Sequence, residues 1–168
     1  DQNFCIEAED GRRTVLKIAN AHESRAMLEA QQDAMIAVQP LLHVAPTPLR
    51  SMDGPYIVAV HGADGVEHLA WTVSWLPGRP LSEVPDRSHR FLRELGNRIG
   101  NMGAILKDFD RPAFHRDFYW DLANGRSIVS RYRQHVDDPA LGHAIDRLME
   151  SFEMHTASEL PYLRRSVI

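Results

Sequence analysis

Residues Leu76-Pro77-Gly78-Arg79-Pro80-Leu81 divide the chain into two stretches with different apolar patterns. Prolines 77 and 80 lack a backbone donor and the intervening glycine is unconstrained, so neither a helix nor a strand runs through them. Before this breaker, apolar residues come in short alternating or β-branched runs; after it they recur every three or four positions. Such a chain folds as α+β, with a small antiparallel sheet lobe carrying one helix, followed by helices. We place the small lobe at residues 1–76, the linker at 77–84 and the helical part at 85–168.

Within the first part, residues 4–9 and 12–19 read as two strands around the turn Asp10-Gly11, an antiparallel hairpin. Asn20, with Glu23 three positions on, predicts a capping box that opens a helix. Leu28, Gln31, Met35 and Val38 mark one face of that helix, and Pro40 is expected to close it. Pro46 and Pro48 punctuate a connector, after which residues 56–60 and 68–75 give two more strands around Gly62-Ala63-Asp64-Gly65. In the second part, residues 88–107 carry Phe91, Leu92, Leu95, Ile99, Met102 and Leu106 at helical spacing. Gly96, Gly100 and Gly103 in the same run predict close packing against a neighbour. A short helical turn is expected at 120–124, a helix at 128–136, and a last long helix from Pro139 through Leu141, Ile145, Leu148 and Phe152.

Charge and cysteine content narrow the function. A net charge of −4, with arginines scattered among acids, gives no reason to expect a nucleic-acid or anionic-membrane partner. Cys5 is the only cysteine, which excludes an internal disulfide and any cysteine-based zinc site. The nine histidines show no metal-ligand spacing. No leader-like pattern or long apolar run is visible, so a cytoplasmic location is the default. The chain starts at Asp1 in strand-like sequence and closes on Arg165-Ser166-Val167-Ile168, which reads as a strand start. We therefore expect a segment of a longer polypeptide, with further domains possible in the parent.

The chain has 19 basic residues, and only Lys17 and Lys107 among them are lysines. Lys17 stands inside the apolar run Thr14-Val15-Leu16-Lys17-Ile18-Ala19, an unfavourable place for an ammonium unless an anion meets it. Glu29 follows in the helical pattern, and a strand lysine locked by a helix glutamate is a device for holding nucleotide phosphates. The plain alternative is a lysine on the solvent face of a half-exposed strand, with Glu29 one of several acids solvating a helix. The stretch Thr72-Val73-Ser74-Trp75-Leu76 runs out of a strand into the linker. Backbone groups left without a ladder partner there could meet a purine edge, or could form an ordinary connection.

Two motifs are set aside. His115-Arg116-Asp117 has the look of a kinase catalytic triplet, but position 122 is Leu where a metal-binding Asn is required, and the nearest Asn is Asn124. Asp108-Phe109-Asp110 lacks the glycine of a metal-binding Asp-Phe-Gly and precedes the triplet instead of following it. Both are expected to be loop residues and helix caps.

Residues 14–34 and 73–81 resemble the aminoglycoside phosphotransferase/choline kinase-like family. Val15-Leu16-Lys17-Ile18-Ala19-Asn20, Leu28-Glu29-Ala30-Gln31 and Trp120-Asp121-Leu122 look closest to its hydroxylysine kinase-like branch. The resemblance implies a protein kinase-like fold, ATP with Mg²⁺ as cofactors, and a small amine-bearing molecule as phosphoryl acceptor. It implies that Lys17 holds the α/β-phosphates, that Glu29 orients Lys17, and that the backbone of Ser74 and Leu76 meets adenine. It also implies that the first strand lies before Asp1, and that the catalytic loop and metal ligands lie beyond Ile168, so this segment alone is expected to be inactive. The alternative from a different class is a non-catalytic kinase-like binding module within a larger protein; the plainest is an unrelated α+β domain.

Overall fold

The computed structural model describes every residue except 44, 86, 165 and 168. The strand start expected at 165–168 therefore lies partly outside the described residues. The chain divides into two compact units, Asp1–Phe114 with Ser166–Ile168, and His115–Arg165.

The first unit is built on an antiparallel sheet. Strands β1 (Gln2–Glu7) and β2 (Arg13–Ile18) form the expected hairpin. Gly11 takes φ 79° at its turn, a left-handed conformation that favours glycine. The Gly11 N–H donates to Ala8 O at 2.9 Å, and the Asp10 carboxylate accepts from Arg12 N at 3.0 Å. After helix α1 (Arg25–Leu42) come β3 (Pro48–Leu49), β4 (Ile57–His61) and β5 (Glu67–Ser74). The strand order is β1-β2-β5-β3, with β4 also paired to β5, so β2 and β5 are the inner strands. The two-residue β3 falls where a connector was expected; Pro48, which cannot donate to a ladder, pairs with Val73.

Helix α1 differs from expectation at both ends. Its N-cap is Ser24, not Asn20: the Ser24 hydroxyl accepts from Met27 N at 3.2 Å, while the Asn20 side chain accepts from His22 N at 2.9 Å in a local turn. The Asn20–Glu23 spacing imitated a capping box because two short polar side chains compete for the same role within five residues. Nor does Pro40 close the helix. It forgoes one backbone bond near the end, and the helix stops at a left-handed His43, φ 51°, whose N–H donates to Gln39 O.

One face of the sheet packs on α1. Ile57, Trp71 and Val73 from the strands, with Ala19 just after β2, meet Leu28 of the helix, with Val15, Met35, Tyr56 and Leu69 around them. Helix α2 (His89–Ile105), capped by Ser88, groups with this unit and contacts α1. A side-chain carbon added at Gly96, Gly100 or Gly103 would meet nothing within 4 Å, so the close packing expected of these glycines is not present in the structure. Their three- and four-residue spacing keeps them on one side of the helix, and that side is open.

The second unit holds a 3₁₀ turn (Leu122–Asn124), α3 (Gly125–Tyr132) running into a second 3₁₀ turn (Arg133–His135), and α4 (Pro139–His155). Asp121 caps the first turn through Ala123 N, and Asp138 caps α4 through Ala140 N at 2.8 Å. The helix expected over 128–136 thus starts earlier and tightens at its end. Arg133 Nε and Nη2 bond both oxygens of Asp146 at 2.8 and 2.9 Å, tying the turn to α4. Among the described residues, no helix is long and apolar enough to cross a membrane.

Candidate nucleotide site

Register decides what surrounds Lys17. In the paired strands Asn3, Lys17, Trp71 and Ile57 stand directly opposite one another, one residue from each of β1, β2, β5 and β4. Opposite residues project to the same face, and Lys17 shares its parity with Val15 and Ala19, which pack toward α1. The lysine is therefore on the helix-facing side of an inner strand, half-buried, not on the outer side of the sheet.

Its ammonium does not reach Glu29. Lys17 Nζ donates to Asn3 Oδ1 at 2.8 Å and sits 5.7 Å from the centroid of the Trp71 ring. No ion pair or hydrogen bond joins Lys17 to Glu29 among the described residues. The reason is geometric. Leu28 is the helix residue turned into the core, and Glu29, one position on, is rotated roughly 100° away from it. Glu29 is exposed and lines a groove with Tyr56 and Ile57, at the β4 end of the row. In the register Trp71 separates Lys17 from Ile57, and the sequence offered no means of seeing this because strand register was unknown. An ammonium has three donors, and Asn3 takes one with a neutral oxygen.

Ser74 and Leu76 also separate. The Ser74 N–H donates to Thr47 O at 2.9 Å, and its hydroxyl accepts from Thr47 N at 2.9 Å. The expectation that the end of this strand lacks a ladder partner is thus corrected for the Ser74 N–H. Thr47, beside the unexpected β3, supplies that partner. Leu76 lies beyond the strand, is exposed, and takes part in no backbone hydrogen bond among the described residues. Between them, Trp75 carries the Arg13 guanidinium 5.9 Å from its ring centroid.

The set-aside motifs sit in irregular backbone. Asp108-Phe109-Asp110 follows α2, where Phe109 is stacked under the Arg111 guanidinium at 4.4 Å and Arg111 pairs with Asp33 at 2.9 Å. His115-Arg116-Asp117 is a loop. Asp117 borders a groove of about 340 Å³ with Tyr119, Asn124 and Arg131. There the Tyr119 and Tyr132 hydroxyls lie 2.9 Å apart, and this hydrogen bond raises the Tyr132 phenol above its ordinary pKa. Among the described residues no three His, Cys, Asp or Glu side chains gather as metal ligands. The described residues therefore offer no magnesium site of their own.

Residues 1–168 match the phosphotransferase enzyme family along their whole length. The chain belongs to that family. It is 25% identical over 187 residues to hydroxylysine kinase of Mus musculus, covering 99% of this chain and 48% of the relative. Hydroxylysine kinase of Danio rerio is 22% identical, with 99% and 49% covered. The chain spans about half the length of the curated relatives it matches. Among solved structures, an amicoumacin kinase in complex with AMP-PNP, Ca²⁺ and Ami superposes with a TM-score of 0.61 at 19% identity, over 90% of this chain and 46% of that one. A microcompartment-associated aminopropanol kinase gives 0.58 at 20% identity, over 77% and 40%. The fold of this family member is α+β, as the order of strands and helices predicts, and kinase-like, as the family resemblance implies.

Proposed function

We propose that the polypeptide carrying these residues is an ATP-dependent phosphotransferase acting on a hydroxyl of a small, amine-bearing metabolite. Residues 1–76 are assigned as its nucleotide lobe, 77–84 as the hinge and 85–168 as the start of the acceptor-binding helical lobe. The observation that carries this reading is Lys17: in a phosphotransferase-family chain, an ammonium on the helix-facing side of an inner strand has, among the described residues, only a neutral amide for a hydrogen-bond partner. A phosphate oxygen is a stronger acceptor for that charge than Asn3 Oδ1. The backbone of Leu76, which takes part in no backbone hydrogen bond among the described residues, and that of Ser74 are assigned to adenine. In this reading Glu29 orients Lys17 only after leaving the groove beside Tyr56.

The catalytic base and the ligands for Mg²⁺ are assigned to residues beyond Ile168, and the location to the cytoplasm. The amine in the acceptor is suggested by the relatives named for hydroxylysine and aminopropanol, each an amine that carries a hydroxyl. The lack of an ion pair between Glu29 and Lys17 among the described residues favours a second reading, a kinase-like module that binds without transferring. Phosphorus NMR of the full polypeptide with ATP, Mg²⁺ and either 5-hydroxylysine or 1-amino-2-propanol separates the two. A new phosphomonoester signal supports the enzyme. ATP binding without turnover on any hydroxylated amine supports the module.

A further inference from the structure

Asparagine is depleted in strands, yet Asn3 stands inside β1, directly across from Lys17. An ammonium carries donors only, so the atom that meets Lys17 Nζ at 2.8 Å has to be the oxygen of the Asn3 side chain. That contact fixes the rest of the amide. Its nitrogen, Nδ2, is the other branch of the same plane and has no hydrogen-bond partner among the described residues. Asn3 is exposed on an edge strand, so the Nδ2 donors are open to solvent beside the half-buried ammonium. The carboxylate nearest along the chain is already engaged: Asp1 accepts from Asn20 N at 2.8 Å and from Asn20 Nδ2 at 3.0 Å. In the row Asn3-Lys17-Trp71 the indole flanks the lysine on one side and the amide on the other. What lies open to an anion is the unspent donors of the ammonium and of the amide, side by side.

We propose that Asn3 is a second phosphate-binding residue: in the nucleotide complex its Nδ2 donates to an oxygen of the phosphate that Lys17 holds. The proposal rests on the reading of Lys17 given above and adds a donor to it. A phosphate offers several acceptor oxygens, so one meets the ammonium and another the amide while Asn3 Oδ1 stays on Nζ. The amide then acts through both of its ends. Its oxygen keeps a flexible lysine stem directed toward β1, and its nitrogen adds a contact that only an acceptor can make. A residue that merely occupied Lys17 would compete with phosphate, and its removal would strengthen ATP binding. Removing a phosphate donor weakens it. The sign of the change separates the two roles.

The test is a titration of the full ¹⁵N-labelled polypeptide with ATP and with adenosine, following the side-chain amide resonances of Asn3. ATP should shift them and adenosine should leave them in place. Calorimetry on Asn3→Ala should show ATP binding weakened roughly 2- to 12-fold, the worth of one net hydrogen bond, with adenosine affinity unchanged. Asn3→Asp keeps an oxygen for Lys17 but loses the donors, so it should hold its melting temperature and bind ATP more weakly than Asn3→Ala. Melting curves confirm that each variant folds. Asn3 resonances unmoved at saturating ATP would overturn the proposal. So would equal or tighter ATP binding in folded Asn3→Ala, or full ATP affinity in Asn3→Asp. Lys17→Met separates this failure from failure of the underlying reading: if it weakens ATP binding and Asn3→Ala does not, Lys17 keeps its role and Asn3 loses the one proposed. If neither variant changes ATP binding, both fall.

Discussion

Asn3 Oδ1 meets Lys17 Nζ at 2.8 Å, and the Trp71 ring lies beneath the ammonium. Both partners come from strands flanking β2, so the lysine's setting is a product of pairing and not of its own neighbours in sequence. Lys17 could be singled out from the sequence because lysine is so scarce here. Its partners could not, because placing Asn3 and Trp71 opposite it requires register across a hairpin and across the whole first unit. Glu29 shows the same limit in a helix: the 3.6-residue period tells that it neighbours the core residue Leu28, but not which strand it overlooks. Local capping is more tractable. Ser24→Ala removes the hydroxyl that accepts from Met27 N and should cost about 1 kcal/mol of stability, read as a lower midpoint in denaturant unfolding. Asn20→Ala, which removes only a turn contact to His22 and the side-chain amide bond to Asp1, should cost less.

At the scale of elements, boundaries set by strong breakers were legible and those set by competition were not. The Asp10-Gly11 turn, the Ser88 start of α2 and the Pro139 start of α4 all stand where the sequence indicates. Helix α1 passes Pro40 because the loss of one bond near a terminus is a small perturbation when Val38 is already buried. The glycines of α2 carry a direct prediction. With open space around Gly100, Gly100→Ala should stabilise this chain by about 0.5–1 kcal/mol through helix propensity, seen as a higher melting temperature. A lower one would mean that another segment packs there. Between the 3₁₀ turn after α3 and α4, the Arg133 hydrogen bonds lower the Asp146 pKa below its ordinary 3.8. A depressed folded value means the pair's stabilisation is present above 3.8 and is lost as pH falls through the lower, folded midpoint. Carboxyl-carbon NMR should show Asp146 titrating below 3.8, and Arg133→Gln should return the midpoint toward it.

For the whole molecule, the order of sheet, breaker and helices indicated an α+β fold, the family resemblance implied that it is kinase-like, and family membership and structural likeness agree. The site was less legible, since it depends on which groups the fold brings within a few ångströms. Asp117 illustrates this: its triplet spelling suggests catalysis, yet it lies in a loop beside an exposed groove of the second unit. In the full polypeptide Asp117→Ala should leave turnover within a few-fold; a loss of about 10³-fold or more, the scale of a positioned catalytic group, would make it the catalytic Asp after all. The central claim is that Lys17 orders nucleotide phosphates, and calorimetry with ATP and with adenosine on wild type and Lys17→Met tests it most directly. The account predicts unchanged adenosine affinity, because those contacts are backbone groups near Leu76. ATP should bind roughly 10- to 150-fold more weakly, the worth of one charge-assisted contact. Equal ATP affinity in the two folded proteins would contradict it and leave Lys17 as a strand lysine held by Asn3.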